Sequence, residues 1–366
     1  MTKAAELAKM GEVLTNSQIG GRRNMVINGA MQVAQRGTSA TGLGASAGYF
    51  TVDRFDMYFT GTAGRLTQSQ VAITDLPGFA NALKLDCTTA DTSIAAGEEA
   101  QLQYHFEGQD VQKLKKGTSE AEKVTVSFYV KGNASATYTS QLYDNDNNRI
   151  NSQTFDVTTS WNRVILTFDG DTSGTLDDDN GWSFSFLIYL QAGSNFTSGT
   201  FSSNTWADRN NPIIVKSDQT MFFDSTDREL FITGLQIETG EQATPFEHRS
   251  FGEELALCQR YYHSNTFATG KTVSAGGAVN STTIAVNAGM PHPVIMRSSP
   301  TGSVSDGTHF AVRHRNVATV CTAVSLGSDP RSTYFQGNVS SGLTLGDGCF
   351  CRSADDACTL AFDAEL

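Results

Sequence analysis

Apolar and polar residues alternate with a period of two along most of residues 24–245, which predicts β-strands with one buried face. In residues 101–106, three apolar side chains face one way, whereas Gln101, Gln103 and His105 face the other. Turn-rich segments separate such runs, as a sandwich of antiparallel strands requires. The pattern therefore predicts a β-sandwich over residues 24–245.

Two segments break this alternation and predict helices. Residues 3–15 carry Leu7, Met10 and Leu14 on one stripe, and a helix this short needs a surface to pack against. It would either dock to a partner or another copy, or fold back on its own domain. Ser250 begins a capping-box pattern that predicts a second helix. We thus predict an N-terminal helical docking segment at 1–23, the sandwich at 24–245, a linking helix at 246–263 and a smaller C-terminal β-domain at 264–366.

Composition and charge narrow the function classes. The chain has 366 residues, of which only 17% are charged, and its formal net charge is -12. No stripe of Lys and Arg could neutralise a run of phosphates, which disfavours binding to nucleic acid. No apolar run is long enough for a secretory signal or a membrane span, so we expect a protein made in a cytoplasm. The six Cys residues are scattered, which favours reduced, buried thiols over a disulfide framework or zinc site.

Several blocks of sequence carry a resemblance to known proteins. The sharp blocks are residues 23–37, 49–55, 243–262 and 292–301. They resemble segments of tail-fibre and virion structural proteins of marine and cyanobacterial phages. Looser blocks lie at residues 124–132, 158–164 and 230–238. These resemble carbohydrate-binding modules of the jelly-roll type, which implies a jelly-roll-like form for the predicted sandwich.

Sugar recognition needs flat aromatic faces together with planar polar groups. Trp206 lies in a polar stretch and is, with Tyr143 and Arg163, our candidate set for binding a glycan. Trp182 is in phase with Phe184 and is predicted to lie in the core.

Carboxylates in turns offer the oxygen ligands that Ca²⁺ prefers. Asp144 and Asp146 are the candidate ligands of a structural calcium ion, and solvated turn acids are the competing interpretation because the spacing matches no EF-hand. No spacing of His, Cys or acidic residues points to a catalytic centre, so we expect no enzyme and no other cofactor.

The resemblance implies a virion protein assembled in the host cytoplasm alongside other virion proteins. We expect a tail-fibre or appendage subunit, a homotrimer in the family resembled, which attaches to host-surface polysaccharide by many weak contacts. The first alternative is a capsid decoration or head-fibre protein without a receptor role. The second is a polysaccharide depolymerase, which would need paired carboxylates across a groove.

Overall fold

Antiparallel β-strands make up most of the regular secondary structure in the computed structural model of the protein, which describes Lys3 and residues 22–366. The all-β prediction is confirmed. The chain divides into two units, Met1–Glu254 with Leu366 (unit 1) and Leu255–Glu365 (unit 2). The predicted N-terminal helix, with Leu7, Met10 and Leu14, lies outside the described residues. Among the residues that are described, no helix is both long and apolar enough to cross a membrane.

Unit 1 is a jelly-roll-like sandwich of two antiparallel sheets. Sheet A has six strands, in the spatial order β1 (Ser39–Leu43), β4 (Arg65–Ala72), β5 (Asn81–Thr89), β13 (Glu229–Thr239), β7 (Val124–Gly132) and β10 (Asn162–Phe168). Sheet B has seven strands, in the order β12 (Ala207–Asp208), β9 (Arg149–Val157), β8 (Ala136–Asp144), β11 (Trp182–Ala192), β6 (Glu99–Glu107), β3 (Asp56–Thr60) and β2 (Gly48–Tyr49). Strands from distant parts of the sequence thus lie side by side.

The alternating apolar residues of the two sheets form one core. Phe128 of sheet A contacts Phe155 and Phe186 of sheet B, with ring centroids 5.1 and 6.0 Å apart, and all three rings are buried. Packing of this kind gives a buried Phe its stabilising contribution of about 1.5–3 kcal/mol through removal of apolar surface from water. The period-two pattern therefore identified the inner face of the sandwich correctly.

Part of the outer face of sheet B is buried as well. Leu187 and Tyr189 of β11 pack under Phe196, Ile214 and Val215, which come from the segment that follows this strand. This cover extends over β8, β9 and β11. It leaves outside the apolar cluster the part of the face formed by β3, β6 and the start of β11 at Trp182 and Ser185, and Tyr143 of β8 lies at the border between the two parts.

A buried ion cluster stabilises one end of unit 1. The Nζ atom of Lys116 contacts Asp144 and lies 3.0 Å from Asp171, and all three side chains are almost fully buried. Arg149 binds the same Asp171 through two hydrogen bonds of 2.7 and 3.1 Å. Burial by itself raises the pKa of Asp171, but hydrogen bonds from Arg149 and Lys116 outweigh it and hold that pKa below its usual range.

Unit 2 contains two further antiparallel sheets around a separate core. Sheet C has the order β14 (Tyr262–Phe267), β23 (Cys358–Asp363) and β17 (Thr301–Val304). Sheet D has the order β19 (Val317–Val320), β18 (Phe310–His314), β22 (Gly348–Ser353), β15 (Thr272–Val279), β16 (Ile284–Pro291), β21 (Ser332–Asn338) and β20 (Ala323–Ser328). Cys321, Cys351 and Cys358 lie in this core, where burial raises the pKa of each thiol, to about 11 for Cys321 and about 12 for Cys358.

The helices are short. Within residues 22–366, the α-helices are Gly108–Val111, Ser194–Thr197 and Phe251–Gln259, and the 3-10 helices are Gln112–Leu114, Asn211–Ile213, Phe222–Asp224 and Gly307–His309. Ser250 caps the last α-helix by accepting a hydrogen bond of 3.3 Å from the backbone N–H of Glu253. The predicted helix start is therefore confirmed, and the division between the two units falls within this helix.

Candidate functional site

A row of planar polar side chains lies on the outer face of sheet B, on the part that the apolar cover leaves out. Strand pairing sets Asp56 opposite Gln103, and Tyr58 opposite Gln101. On the other side of β6, His105 lies opposite Ser185. We call this surface the polar face and define it by Asp56, Tyr58, Glu99, Gln101, Gln103, His105, Tyr143, Trp182, Ser185 and Arg209.

Trp182 belongs to the polar face because the strand is irregular at its start. The pairing register of β11 shifts between Trp182 and Phe184, which breaks the alternation there. Trp182 is only half-buried, and its ring lies 4.4 Å from that of His105 and 6.1 Å from that of Tyr143. The prediction that Trp182 lies in the core with Phe184 was wrong, because strict alternation cannot show a bulge.

A chain of hydrogen bonds runs from Trp182 towards Asp56. The indole Nε1 can only donate, and it donates to Ser185 Oγ over 2.6 Å. Ser185 Oγ in turn lies 2.8 Å from His105 Nδ1, and His105 Nε2 lies 3.8 Å from Asp56 Oδ2. If the Ser185 hydroxyl donates to Nδ1, the ring carries its hydrogen on Nε2, facing the carboxylate. The arrangement thus holds both rings in fixed positions beside Asp56.

The Asp56 carboxylate is a hydrogen-bond acceptor for which the described residues supply hardly any donor. It is 8% exposed, and the part of the chain that the structure describes offers its carboxylate no hydrogen bond, only the 3.8 Å approach of His105. Burying a carboxylate without hydrogen bonds is costly, so this position favours an external donor.

A second set of acceptors follows β6. The Gln103 amide donates to Gln101, whose own amide donates to Glu99 over 3.0 Å. The Gln103 amide oxygen receives no hydrogen bond from the described residues. Burial raises the pKa of Glu99, while the charge of Arg209 opposes that rise. The strand therefore holds the half-buried Gln103 carboxamide and the buried Glu99 carboxylate, whose pKa is raised, on the same side of the sheet.

Arg209 supplies a donor at the edge of the same surface. Its guanidinium lies over the Tyr143 ring, with the Cζ atom 5.3 Å from the ring centroid. The Nε atom of Arg209 is buried and has no partner in the described part of the chain. Donors, acceptors and half-buried aromatic rings thus occur together on the polar face.

Of the three predicted glycan-binding residues, the structure brings only Tyr143 to the polar face. Trp206 lies against the core, where its ring is 6.4 Å from Phe184 and its Nε1 donates to the Asp169 carbonyl over 2.6 Å. Arg163 lies on the outer face of sheet A, where it donates to Ser127 Oγ and to the Thr244 carbonyl. The set does not form one site.

The two predicted calcium ligands make contacts of other kinds. Asp144 is fully buried against the ammonium of Lys116 and also accepts a hydrogen bond of 3.0 Å from the Asn147 backbone. Asp146 accepts a hydrogen bond of 2.9 Å from the backbone N–H of Asp177. Among the described residues, no group of three or more His, Cys, Asp or Glu side chains is placed to hold a metal ion.

Comparisons with known proteins find structural neighbours only. No protein-family model and no curated protein matches the chain. A family 11 carbohydrate-binding module from Clostridium thermocellum, in complex with a mixed-linked tetrasaccharide, is 13% identical, with a TM-score of 0.28, over 58% of this chain and 98% of that one. The TmCBM61 module in complex with β-1,4-galactotriose is 9% identical, with a TM-score of 0.30, over 60% of this chain and 100% of that one.

A bacteriophage protein is also among these neighbours. The enzymatically active domain of tailspike protein 4 from bacteriophage CBA120 is 11% identical, with a TM-score of 0.30, over 59% of this chain. The match spans about a fifth of the tailspike chain, 21%.

Proposed function

We propose that the protein binds a glycan through the polar face of unit 1. The observation that carries the proposal is the pair Asp56 and Gln103, which lie directly opposite each other with acceptor oxygens that the described residues leave without hydrogen bonds. Sugar hydroxyls are donors that would satisfy both. The half-buried rings of Tyr58 and Trp182 supply the apolar surface on which a pyranose can pack.

The charges of the polar face favour a neutral or amino sugar over an acidic one. Asp56 and Glu99 lie on this face, and the whole chain has a net charge of -12. A polyanionic polysaccharide would meet repulsion from both. Arg209 is the single cation of the set and lies at its edge.

We infer binding without catalysis. A Ser, a His and an Asp do lie in line here, but Ser185 is fully buried, and its oxygen already accepts the hydrogen bond from Trp182. A nucleophile must be within reach of the substrate. Incubation of the protein with the bound polysaccharide is expected to release no oligosaccharide. Release of shorter products would instead make the protein a depolymerase.

For the biological setting, we propose a subunit of a phage tail fibre or related appendage that attaches to host-surface polysaccharide. The support is the resemblance of residues 23–37 and 243–262 to tail-fibre and virion structural proteins. In such an assembly, several identical subunits would bind together, so that sites of about millimolar affinity could combine into stable attachment.

Replacing Asp56 with asparagine tests the proposed site. We expect the affinity for the glycan to fall by about 10–100-fold, since a hydrogen bond to a charged group contributes about 1.5–3 kcal/mol. The ligand would first be found on a glycan array and the affinity then measured by isothermal titration calorimetry. Asp227→Asn is the matched control, because Asp227 is exposed in a turn away from the polar face. Equal affinity in both variants, or no glycan bound by the parent protein, would overturn the proposal.

The position on the particle is tested separately. Quantitative mass spectrometry of purified virions, combined with cryo-electron microscopy, is expected to find a few copies in threefold or sixfold groups at the tail. Many copies on the shell would instead indicate a capsid decoration protein, and absence from virions would refute the appendage role altogether.

A further inference from the structure

A second cleft lies within unit 2 and has no part in the function proposed above. Its volume is about 410 Å³, which is within the range of small-molecule sites. Phe267, Met290 and Phe362 form apolar parts of its wall, and the side chains of His263, His292 and Ser274 also line it. No Lys, Arg, Asp or Glu is among its lining residues in the described part of the chain, so the cleft suits an uncharged ligand.

The hydrogen bonds of the two histidines determine which nitrogen is bare. His292 Nε2 lies 3.2 Å from the Asp329 carbonyl, which can only accept, and 3.3 Å from Thr333 Oγ1, which can accept as well as donate. We assign a hydrogen to Nε2, because a bare nitrogen would face the lone pairs of the carbonyl oxygen. The Nδ1 atom of a neutral His292 then accepts, and it lies 2.9 Å from His263 Nε2, which must donate. The remaining nitrogen, His263 Nδ1, therefore holds a lone pair and no hydrogen. Burial lowers the pKa of both rings, which agrees with neutral imidazoles.

Two polar atoms of this cleft wall are without partners. His263 Nδ1 and Ser274 Oγ are both buried, and neither forms a hydrogen bond within the described structure. Each residue is only 3% exposed. Buried polar atoms without a partner are uncommon in folded proteins and call for an explanation. A ligand that brings hydroxyl groups would provide one, after a small opening of the wall around these atoms.

We propose that this cleft binds one neutral pyranose residue, with hydroxyl groups directed at His263 Nδ1 and Ser274 Oγ. The apolar wall would pack against the C–H face of the ring, and Asn265, exposed at the cleft, would reach a further hydroxyl. A metal ion does not fit this cleft, because the described histidines offer it only one imidazole lone pair. The site is independent of the polar face, so the chain would contact a glycan at two places.

The test uses the full chain and a panel of monosaccharides: glucose, galactose, N-acetylglucosamine and fucose. We expect saturation-transfer NMR to detect binding of at least one of them, and the Asn265→Ala variant to weaken it several-fold. Thr266→Ala is the matched control, since Thr266 is the next residue of β14, is exposed and is absent from the cleft lining. Binding that Asp56→Asn abolishes and Asn265→Ala leaves unchanged would refute this site while supporting the polar face.

A second readout does not depend on the stability of the variants. In protein labelled with ¹⁵N-histidine, His263 Nδ1 should resonate as an unprotonated nitrogen and shift when the sugar is added. A protonated Nδ1 in the free protein, or an unprotonated one that no sugar in the panel shifts, would overturn the proposal.

Discussion

Replacing Lys116 with methionine is expected to destabilise unit 1 by about 3–5 kcal/mol, because it leaves a buried carboxylate without its cation. Asp144 is fully buried, and Lys116 is its only cationic contact among the described residues. Asp171 would keep Arg149, so the loss falls mainly on Asp144. Urea unfolding followed by tryptophan fluorescence would measure the change, since the Lys116 Nζ atom lies 5.4 Å from the Trp206 ring centroid.

Two further variants distinguish the loss of stability caused by disrupting the ion cluster from the effect of removing any lysine. Lys115→Met is the matched control, because the adjacent Lys115 is exposed and pairs with Glu122 at the surface, and its effect should be much smaller. Adding Asp144→Asn to Lys116→Met should recover a large part of the lost stability, since no charge is then left buried. Equal effects of the two single lysine variants would show that the cluster contributes no more than a surface pair.

Acidification is expected to destabilise unit 2 through its buried histidine pair. Burial, with a smaller contribution from His292, lowers the pKa of His263 to about 4, against an ordinary value near 6.5. The unfolded chain therefore takes up a proton at a higher pH than the folded chain does. Stability is highest above about pH 6.5 and falls as the pH drops towards 4, by about 3 kcal/mol from this group.

Thermal unfolding between pH 7 and pH 4 would measure this loss. In His263→Gln, the part of the slope due to His263 should disappear, while the amide can still donate to His292. His309→Gln is the matched control, because His309 is only half-buried and lies 3.6 Å from Asp355. If both variants keep the parent slope, the pair is not the source of acid sensitivity. Carboxylates that protonate in this range act equally in all three proteins.

The sequence correctly predicted the features of the fold that depend on the local pattern of apolar and polar residues. Period-two alternation located the strands, and the Ser250 cap located the helix. The local pattern could not predict contacts between residues that are neighbours only because of the order of the strands in a sheet. Gln101, Gln103 and His105 were visible as the polar side of one strand, but only the pairing of β6 with β3 and β11 places Asp56 and Ser185 beside them. The chemistry of the polar face is therefore a product of topology.

The environments of single tryptophan residues were predicted less accurately than the strands. Trp206 lies in a polar stretch, yet its ring packs on Phe184 and over Lys116, a residue ninety positions earlier. Trp182 appeared to continue a core pattern, yet a register shift at the start of β11 places it among polar groups. In each case, a non-local contact or a bulge determined the environment of the tryptophan side chain. The local alternation of apolar and polar residues predicts neither feature.

The reactivity of the buried cysteines can be used to detect the opening of each unit. Cys87 is the thiol of unit 1, where burial raises its pKa to about 11, and Cys321, Cys351 and Cys358 lie in the core of unit 2. A thiolate must form and be reached before an alkylating reagent can react. Labelling at Cys87 and at the unit 2 thiols, resolved by mass spectrometry, would therefore time the transient unfolding of the two units separately in one unmodified chain.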